Sequence, residues 1–492
     1  MRKIFIITFL LFTLTSYSQK QDRVWCFGLG TGIDFNDTSN PVPFTSAIPQ
    51  MALVSYASIA DSLGDLLFYA AGVEWDTFGV KVWNRNHLLM QNGDSIGGHP
   101  NRGQCCLIIP NPSSSNLYYL FTIQYKTNSS SNIFYSLIDM SMNGGLGAVT
   151  QKNILIFNDS LTEHFSAVKH ANGRDWWLVL RRYVDNKYYK LLVSSNGING
   201  PYTQNIGYSP PIYYGEMEFS KQGNKMVIVS PYGYIDLYDF DRCTGNLSNY
   251  VDLGEHISTD PNYQYYGCAF SPNETKLYVS TSPININMIK HVVQYDLISA
   301  NIMASKQIIY TYADTMNFVF GQMQLAPDGK IYISKSYGYG SNTNNVYDQN
   351  LDYITDPNAS GAACNYCSNC FSLQGHGLSK LGLPNNPNYN LRNLIGSPCD
   401  TLDVGIEENY FANNNYSIYP NPFHDKATLS LSEYCSSCTL EIYDALGQKV
   451  TSKNFSGWQT EINRSTMKSG IYFFSVSDRE RTIFTGKLIV EK

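Results

Sequence analysis

The sequence predicts an all-β chain: a six- or seven-bladed β-propeller followed by a small C-terminal immunoglobulin-like β-sandwich. Three observations carry this. A turn-plus-strand unit recurs six times through the middle of the chain, roughly every 50 residues, the period of a blade. The last eighty or so residues break into short runs with period-two alternation, the mark of half-buried strands. Charged residues make up only 15% of the 492, against the roughly 25% usual for globular domains, while Tyr alone contributes 38 residues. Tyr suits pleated, half-buried surfaces.

The first element is a leader. Arg2 and Lys3 precede an apolar run from Ile4 to Leu14, and small residues follow at Ser16 and Ser18. This reads as a secretory signal peptide over residues 1–19. The run is too short to span a bilayer, which takes about 20 apolar residues, and no later stretch is long enough. A net charge of −6 without a basic patch argues against nucleic acid.

The six repeats are Asp65–Tyr69, Asn116–Leu120, Asp175–Val179, Lys225–Val229, Lys276–Ser280 and Lys330–Ser334. Tight turns such as Lys221-Gln222-Gly223 and Pro327-Asp328-Gly329 precede most of them. Before the turn comes another strand: Gln104–Ile109, His164–Val168, Gly215–Phe219, Gly267–Phe270 and Gly321–Leu325. A third strand often ends in an acidic turn, as at Leu237–Asp239 and Gln294–Asp296. Residues 20–395 divided by this period favour seven blades. Only six hairpins are visible, so a seventh blade is expected from the two ends, Trp25–Gly28 with Gly32–Asn36 and Gly377–Asn385. Residues 396–415 are polar and aperiodic and read as a linker.

The C-terminal segment, residues 416–492, alternates over Ala427–Leu431, Thr439–Tyr443, Ile471–Val476 and Phe484–Val490. Its landmarks are Tyr419-Pro420-Asn421-Pro422, the turn at Gly447, Gly470 and Lys487. In this order they closely resemble the type A C-terminal sorting domain of the type IX secretion system of Bacteroidetes. The resemblance covers the whole segment. It implies export across the outer membrane, the secretion machinery as partner, and a protein secreted or held at the outer surface. The larger part resembles secreted Bacteroidetes propellers of unassigned function, through Trp25-Cys26-Phe27-Gly28, Gly32-Ile33-Asp34-Phe35-Asn36, Asp241–Gly245, Ala269–Pro272 and Gly382-Leu383-Pro384-Asn385. Asn386-Pro387 stands where that group has an aromatic residue. The resemblance implies the fold and no catalytic residue.

Candidate chemistry is thin. Cys364, Cys367 and Cys370 have a spacing that could hold zinc or an iron–sulfur cluster. In an oxidising compartment disulfides are the expected reading; spacing alone does not assign partners. Cys435 and Cys438 are expected to close on each other at a turn between two strands, and Cys26, Cys243, Cys268 and Cys399 to staple blades or chain ends. The total of 11 Cys is odd, so at least one thiol is free or pairs between molecules. Asp239–Gly245 alternates carboxylates as calcium loops do but lacks the closing Glu; a turn is expected there, calcium is the alternative, and no cofactor or metal site is otherwise expected. Gly28-Leu29-Gly30-Thr31-Gly32 is read as a strand turn, without the Lys of a phosphate loop. No nucleophile elbow or zinc-protease motif is present, so catalytic residues are unassigned.

Two functions follow. The first is a secreted binding module for a glycan or a protein, its loops carrying specificity. The alternative is an extracellular hydrolase or lyase at the channel, for which the inner-strand residues Gln104, Glu216 and Gln322 are the first places to look.

Overall fold

The computed structural model describes residues 20–49, 54–73, 79–99, 101–127, 130–209, 214–256, 264–281, 289–312, 318–337, 345–400, 416–445, 447–465, 467–478 and 481–491. The expected signal peptide and residues 401–415 of the expected linker lie outside them. The chain divides into two compact units, Met1–Leu402 and Asp403–Lys492.

The first unit is a β-propeller. Its described residues form seven consecutive antiparallel sheets. The first two have three strands: β1 (Val24–Phe27), β2 (Thr31–Asp34) and β3 (Val42–Thr45), then β4 (Tyr56–Ala60), β5 (Leu66–Gly72) and β6 (Val80–Asn84). The third holds β7 (Cys106–Pro110), β8 (Leu117–Thr127), β9 (Ser130–Asp139) and β10 (Ala148–Asp159). The fourth holds β11 (Leu161–Lys169), β12 (Trp176–Arg182), β13 (Lys187–Ser194) and β14 (Gly197–Asn205). The fifth holds β15 (Glu216–Phe219), β16 (Lys225–Ser230), β17 (Tyr234–Asp241) and β18 (Asn246–Asp252). The sixth holds β19 (Tyr265–Phe270), β20 (Lys276–Thr281), β21 (Lys290–Asp296) and β22 (Gln307–Tyr312). The seventh holds β23 (Phe318–Leu325), β24 (Ile331–Tyr337), β25 (Asn350–Ile354) and β26 (Tyr366–Ser372).

Each sheet is a meander whose first strand lies innermost. Thus β1 packs on β4, β4 on β7, β11 on β15, β15 on β19 and β19 on β23. Burial follows this radial order. Every residue of β4, β11 and β19 is buried, because neighbouring sheets cover both faces, whereas β14 and β22 are largely exposed. The six repeats of the sequence are β5, β8, β12, β16, β20 and β24, the second strand of each sheet after the first. Gly28 and Gly30 make the β1–β2 turn at φ 59° and 75°, a region open to glycine at little steric cost.

The ring closes at its centre. After β26 the chain turns inward, and residues 377–394 bond to the inner strands of one sheet after another. Leu29 N donates to Leu378 O at 2.8 Å, and Gln322 N to Leu381 O at 2.8 Å. Asn385 N donates to Tyr56 O at 2.8 Å. The Asn385 side-chain amide donates to Cys106 O at 3.2 Å and to Phe165 O at 2.9 Å, tying the third sheet to the fourth. Tyr389, fully buried, donates to Ile108 O at 2.8 Å, and its own carbonyl accepts from Lys169 Nζ at 2.8 Å. A Cβ on Gly321 would collide with the Leu381 carbonyl, so only glycine admits the returning chain there. Leu394 N donates to Ala171 O at 2.7 Å, and a Cys243–Cys399 disulfide fastens the end of the segment to the β17–β18 turn.

The second unit is a five-stranded antiparallel sheet folded around one core. It comprises β27 (Tyr416–Tyr419), β28 (Lys426–Tyr443), β29 (Lys449–Asn463), β30 (Gly470–Asp478) and β31 (Arg481–Val490). The two strands expected at Ala427–Leu431 and Thr439–Tyr443 are halves of one long strand, β28. It bends at register shifts around Cys435 and Cys438, which are disulfide-bonded. The halves bury Leu429 and Leu440 in the same core. Bulges of this kind add twist and bend a sheet.

Candidate functional site

Polar side chains near the propeller axis divide into those that hold backbone and those that do not. Gln104 reaches from the third sheet to the fifth: its Oε1 accepts from Met217 N and its Nε2 donates to Met217 O, both at 2.8 Å. Glu216 accepts from Cys268 N at 2.7 Å and Met323 N at 3.1 Å, one carboxyl joining three sheets. Gln322 Oε1 accepts from Leu383 N at 2.8 Å. Glu163 accepts from Gly103 N at 2.6 Å and Gly215 N at 3.1 Å. All four are buried. The structure therefore brings Gln104, Glu216 and Gln322 together as staples of the ring. His164 is of the same kind: its Nε2 donates to Val229 O at 3.0 Å, and burial pushes its pKa down to about 3.

Glu163 makes stability pH-dependent. Burial pushes its pKa from 4.5 up to about 8, against the opposing pull of Arg102 and the two N–H donors. The folded state then holds a proton that the unfolded state has released. Stability from this group is complete below pH 4.5 and is lost as pH rises towards 8. We expect the urea midpoint to fall over that window and the slope to be shallower in Glu163→Gln. Parallel profiles would assign the slope elsewhere.

A recess of 570 Å³ remains at the end of the axis where first strands turn into second strands. The β1 approach supplies Asp22, Arg23 and Trp25. The end of β15 supplies Glu218 and Phe219, and β23 supplies Gln324. The returning segment supplies Asn386, Asn388 and Asn390. Residues two apart in a strand point to the same face, so the two acids of β15 differ by their position along it. Glu216 is wholly buried among staples, while Glu218, two residues on, is half-buried and faces the recess. Burial raises the Glu218 pKa to about 8. The Asp22 carboxyl is also held above its ordinary value, by burial first. Asn390 Nδ2 donates to Asp22 Oδ2 at 3.0 Å, and Gln324 Nε2 to Asn386 O at 3.5 Å. The opposite oxygens, Asp22 Oδ1, Gln324 Oε1 and Asn390 Oδ1, are buried without a hydrogen-bond partner.

Sequence reasoning did not find this recess. Glu218 was visible only as one residue of an expected strand, and the Asn-rich stretch Asn385–Asn390 was the one signal that the returning chain is polar for a reason.

The cysteines behave differently from one another. Cys367 pairs with Cys370 on β26, so the three-thiolate set does not form. Cys364 corrects the expectation that it joins the disulfide cysteines: it is a free, buried thiol, placed inside by the turn Gly361–Cys364 and set against Tyr278. Cys26 and Cys268 are also free and buried, and Cys243 bonds Cys399. Asp239–Asp241 end β17, and Arg242–Gly245 form the turn into β18. Asp241 accepts from Cys243 N and Thr244 Oγ1, both at 2.8 Å, and Asp239 pairs with Lys225 at 2.7 Å.

In the second unit the Tyr419–Pro422 stretch acts through one side chain. Flanking prolines have no N–H to give. Asn421 instead completes the edge of β31, donating to Lys487 O at 3.1 Å and accepting from Ile489 N at 2.8 Å. Asn421 and Lys487 thus meet. Gly447, at φ 76°, turns β28 into β29, and Gly470 opens β30 opposite Val490. Tyr419 is left 81% exposed.

Among known proteins, an endo-acting ulvan lyase from Formosa agariphila is 30% identical over 89 residues, 18% of this chain and 17% of that protein. The chain thus spans about a sixth of the length of the curated relative it matches. Among solved structures, the β-propeller domain of Myceliophteria thermophila Cps50 (Swd1) matches at TM-score 0.29 and 10% identity, over 56% of this chain and 92% of that one. Kuenenia stuttgartiensis hydrazine synthase matches at TM-score 0.37 and 11% identity, over 70% and 99%. No helix among the described residues is long and apolar enough to cross a membrane. Residues 417–491 match the family described as the secretion system C-terminal sorting domain; this protein carries a type IX sorting domain, which indicates secretion or attachment at the outer surface.

Proposed function

We propose that the mature protein is an exported binding module that captures a glycan or a protein partner in the axial recess. In this reading residues 1–19 are removed as a signal peptide, 20–395 form a seven-bladed propeller, 396–415 are a linker, and 416–492 address the chain to the secretion machinery. The observation that carries it is the contrast on the axis. Gln104, Glu163, Glu216 and Gln322 bond to backbone across the ring, whereas the recess beside them is lined by Asp22, Glu218, Gln324, Asn388 and Asn390 together with Arg23, Lys221 and Arg392. A concave site with a few convergent polar groups is the usual form of a ligand pocket. The hydrolase or lyase alternative needs convergent acid and base groups at the channel, and the buried candidates there are tied to backbone amides.

The mature chain, immobilised, is expected to retain a glycan or protein from the outer-surface fraction of its own cells, and Glu218→Lys is expected to abolish retention. Turnover of a polysaccharide without stable retention would favour the enzyme. Export is separately testable: deleting residues 416–492 should remove the protein from the medium and cell surface, read by immunoblot of fractions.

A further inference from the structure

We infer that the Cys367–Cys370 disulfide is a redox latch on the buried Lys335–Asp352 ion pair of the seventh sheet, opened by dithiol reductants. The strand that carries it, β26, is the outer edge of that sheet. Its register against β25 breaks at one point. Leu351 faces Phe371 and Tyr353 faces Cys367, so Ser368, Asn369 and Cys370 stand opposite the single residue Asp352. This is a bulge, and the disulfide closes its base. The two residues enclosed by the bridge are those that cover the ion pair. Asn369 N donates to Asp352 Oδ1 at 2.7 Å, and Asn369 Oδ1 accepts from Lys335 Nζ at 2.6 Å. The Ser368 hydroxyl meets that of Tyr312, which donates to Asp352 Oδ2 at 2.8 Å and accepts from Lys335 Nζ at 3.2 Å. Both ions, wholly buried, therefore depend on Asn369.

Backbone geometry makes the crosslink matter. Asn369 holds both ions at φ 54°, in the left-handed region that a residue with a side chain enters at a cost. Such a conformation lasts where its surroundings fix it. An edge strand fixes it weakly, since one side of β26 has no neighbour in the sheet, and a bulge of this size has other pairings open to it. The bridge removes that freedom. When it opens, the relaxed bulge withdraws an acceptor from a buried ammonium and a donor from a buried carboxylate, and buried ions left short of partners are costly. The bridge is also within reach. Cys370 is exposed, whereas Cys435 and Cys438 are 6% and 1% exposed. A thiolate of the reductant attacks one sulfur of the bridge, and the other sulfur leaves as a thiolate. The second thiol of the reductant then resolves the mixed disulfide. Both cysteines finish as thiols and the dithiol as a cyclic disulfide, two electrons having passed. The latch is thus set in an oxidising compartment and released by reductant.

The test is a mutant cycle in the mature chain, unfolded in urea and followed by tryptophan fluorescence. Cys367→Ser with Cys370→Ser is expected to raise the unfolding constant by about tenfold or more in the otherwise wild-type chain. In a chain that also carries Lys335→Met and Asp352→Ala, which has no ions to cover, the same pair of changes is expected to raise it by less than about threefold. Equal effects in the two backgrounds, or none in either, would overturn the inference. A second measurement needs no variant: the wild-type chain is treated with increasing dithiothreitol, alkylated and mapped by peptide mass. Cys367 and Cys370 are expected to label before Cys435 and Cys438, and amide hydrogen exchange across residues 350–372 to quicken at the same dose. Labelling of Cys367 and Cys370 without reductant, earlier labelling of Cys435 and Cys438, or exchange that does not change when the bridge opens would each sink it.

Discussion

Replacing Asp352 by alanine is expected to destabilise the propeller by about 3–5 kcal/mol, the usual penalty for stranding one partner of a buried ion pair. Asp352 and Lys335 are both completely buried and paired with each other in the seventh sheet. The Asp352 carboxyl also accepts from Tyr312 Oη at 2.8 Å, from Asn369 N at 2.7 Å and from the Tyr366 hydroxyl. Lys335 lies 5.5 Å from the ring centroids of Tyr312 and Tyr347. Burial already pushes the Lys335 pKa below its ordinary value, and the Asp352 charge is the main force against that. With Asp352 gone, an ammonium is left in an aromatic interior. Lys335→Met combined with Asp352→Ala should recover much of the loss, because the uncompensated charge disappears. Equilibrium unfolding of the mature chain, followed by tryptophan fluorescence, measures both. A double variant no more stable than the single one would place the penalty in the lost hydrogen bonds instead.

The parts of the fold that sequence could disclose are those with local periodicity. A tight turn followed by a strand opening on a polar residue marks β5, β8, β12, β16, β20 and β24, because an exposed turn and a buried strand sit side by side in every sheet. The interior faces were not legible. Inner strands are covered on both sides, so Glu216 and Glu218 look alike in sequence although one staples three sheets and the other faces the recess. The returning segment had no pattern to read, since residues 377–394 form no extended strand and bond instead to the inner strands of different sheets in turn. Its departure from the expected aromatic at Asn386-Pro387 has a spatial counterpart: Tyr389 enters the core instead, edge-on to Trp176 at 5.9 Å. In the second unit, Cys435 and Cys438 interrupt the alternation and so mimic a turn, while the backbone continues through bulges as one strand. The Tyr419–Pro422 stretch was recognisable as a motif, but the side-chain pairing of Asn421 with β31 needed coordinates.

Trp25→Ala is expected to cost about 3–5 kcal/mol, the range for deleting a large buried aromatic, and its position makes it a probe of ring closure. Trp25 is 1% exposed. It packs edge-on against Phe35 of its own sheet at 4.9 Å and against Tyr332 of the seventh sheet at 6.0 Å, so the first and last sheets meet on its ring. Phe35 touches Tyr332 at 5.5 Å as well, which makes the seam aromatic on both sides. A closed ring transmits loss at one seam to every sheet, so the variant should unfold in a single transition shifted to lower denaturant. Trp458→Ala, at a site 56% exposed in the other unit, should change the propeller's transition by less than about 0.5 kcal/mol. Deleting residues 20–40 goes further, since it removes β1, β2 and the Leu29 partner of Leu378. That chain is expected to lose cooperativity altogether, with a broadened transition and a smaller denaturant slope. If it melts as sharply as the intact protein, the first sheet is an appendage and the circle is closed by the remaining six.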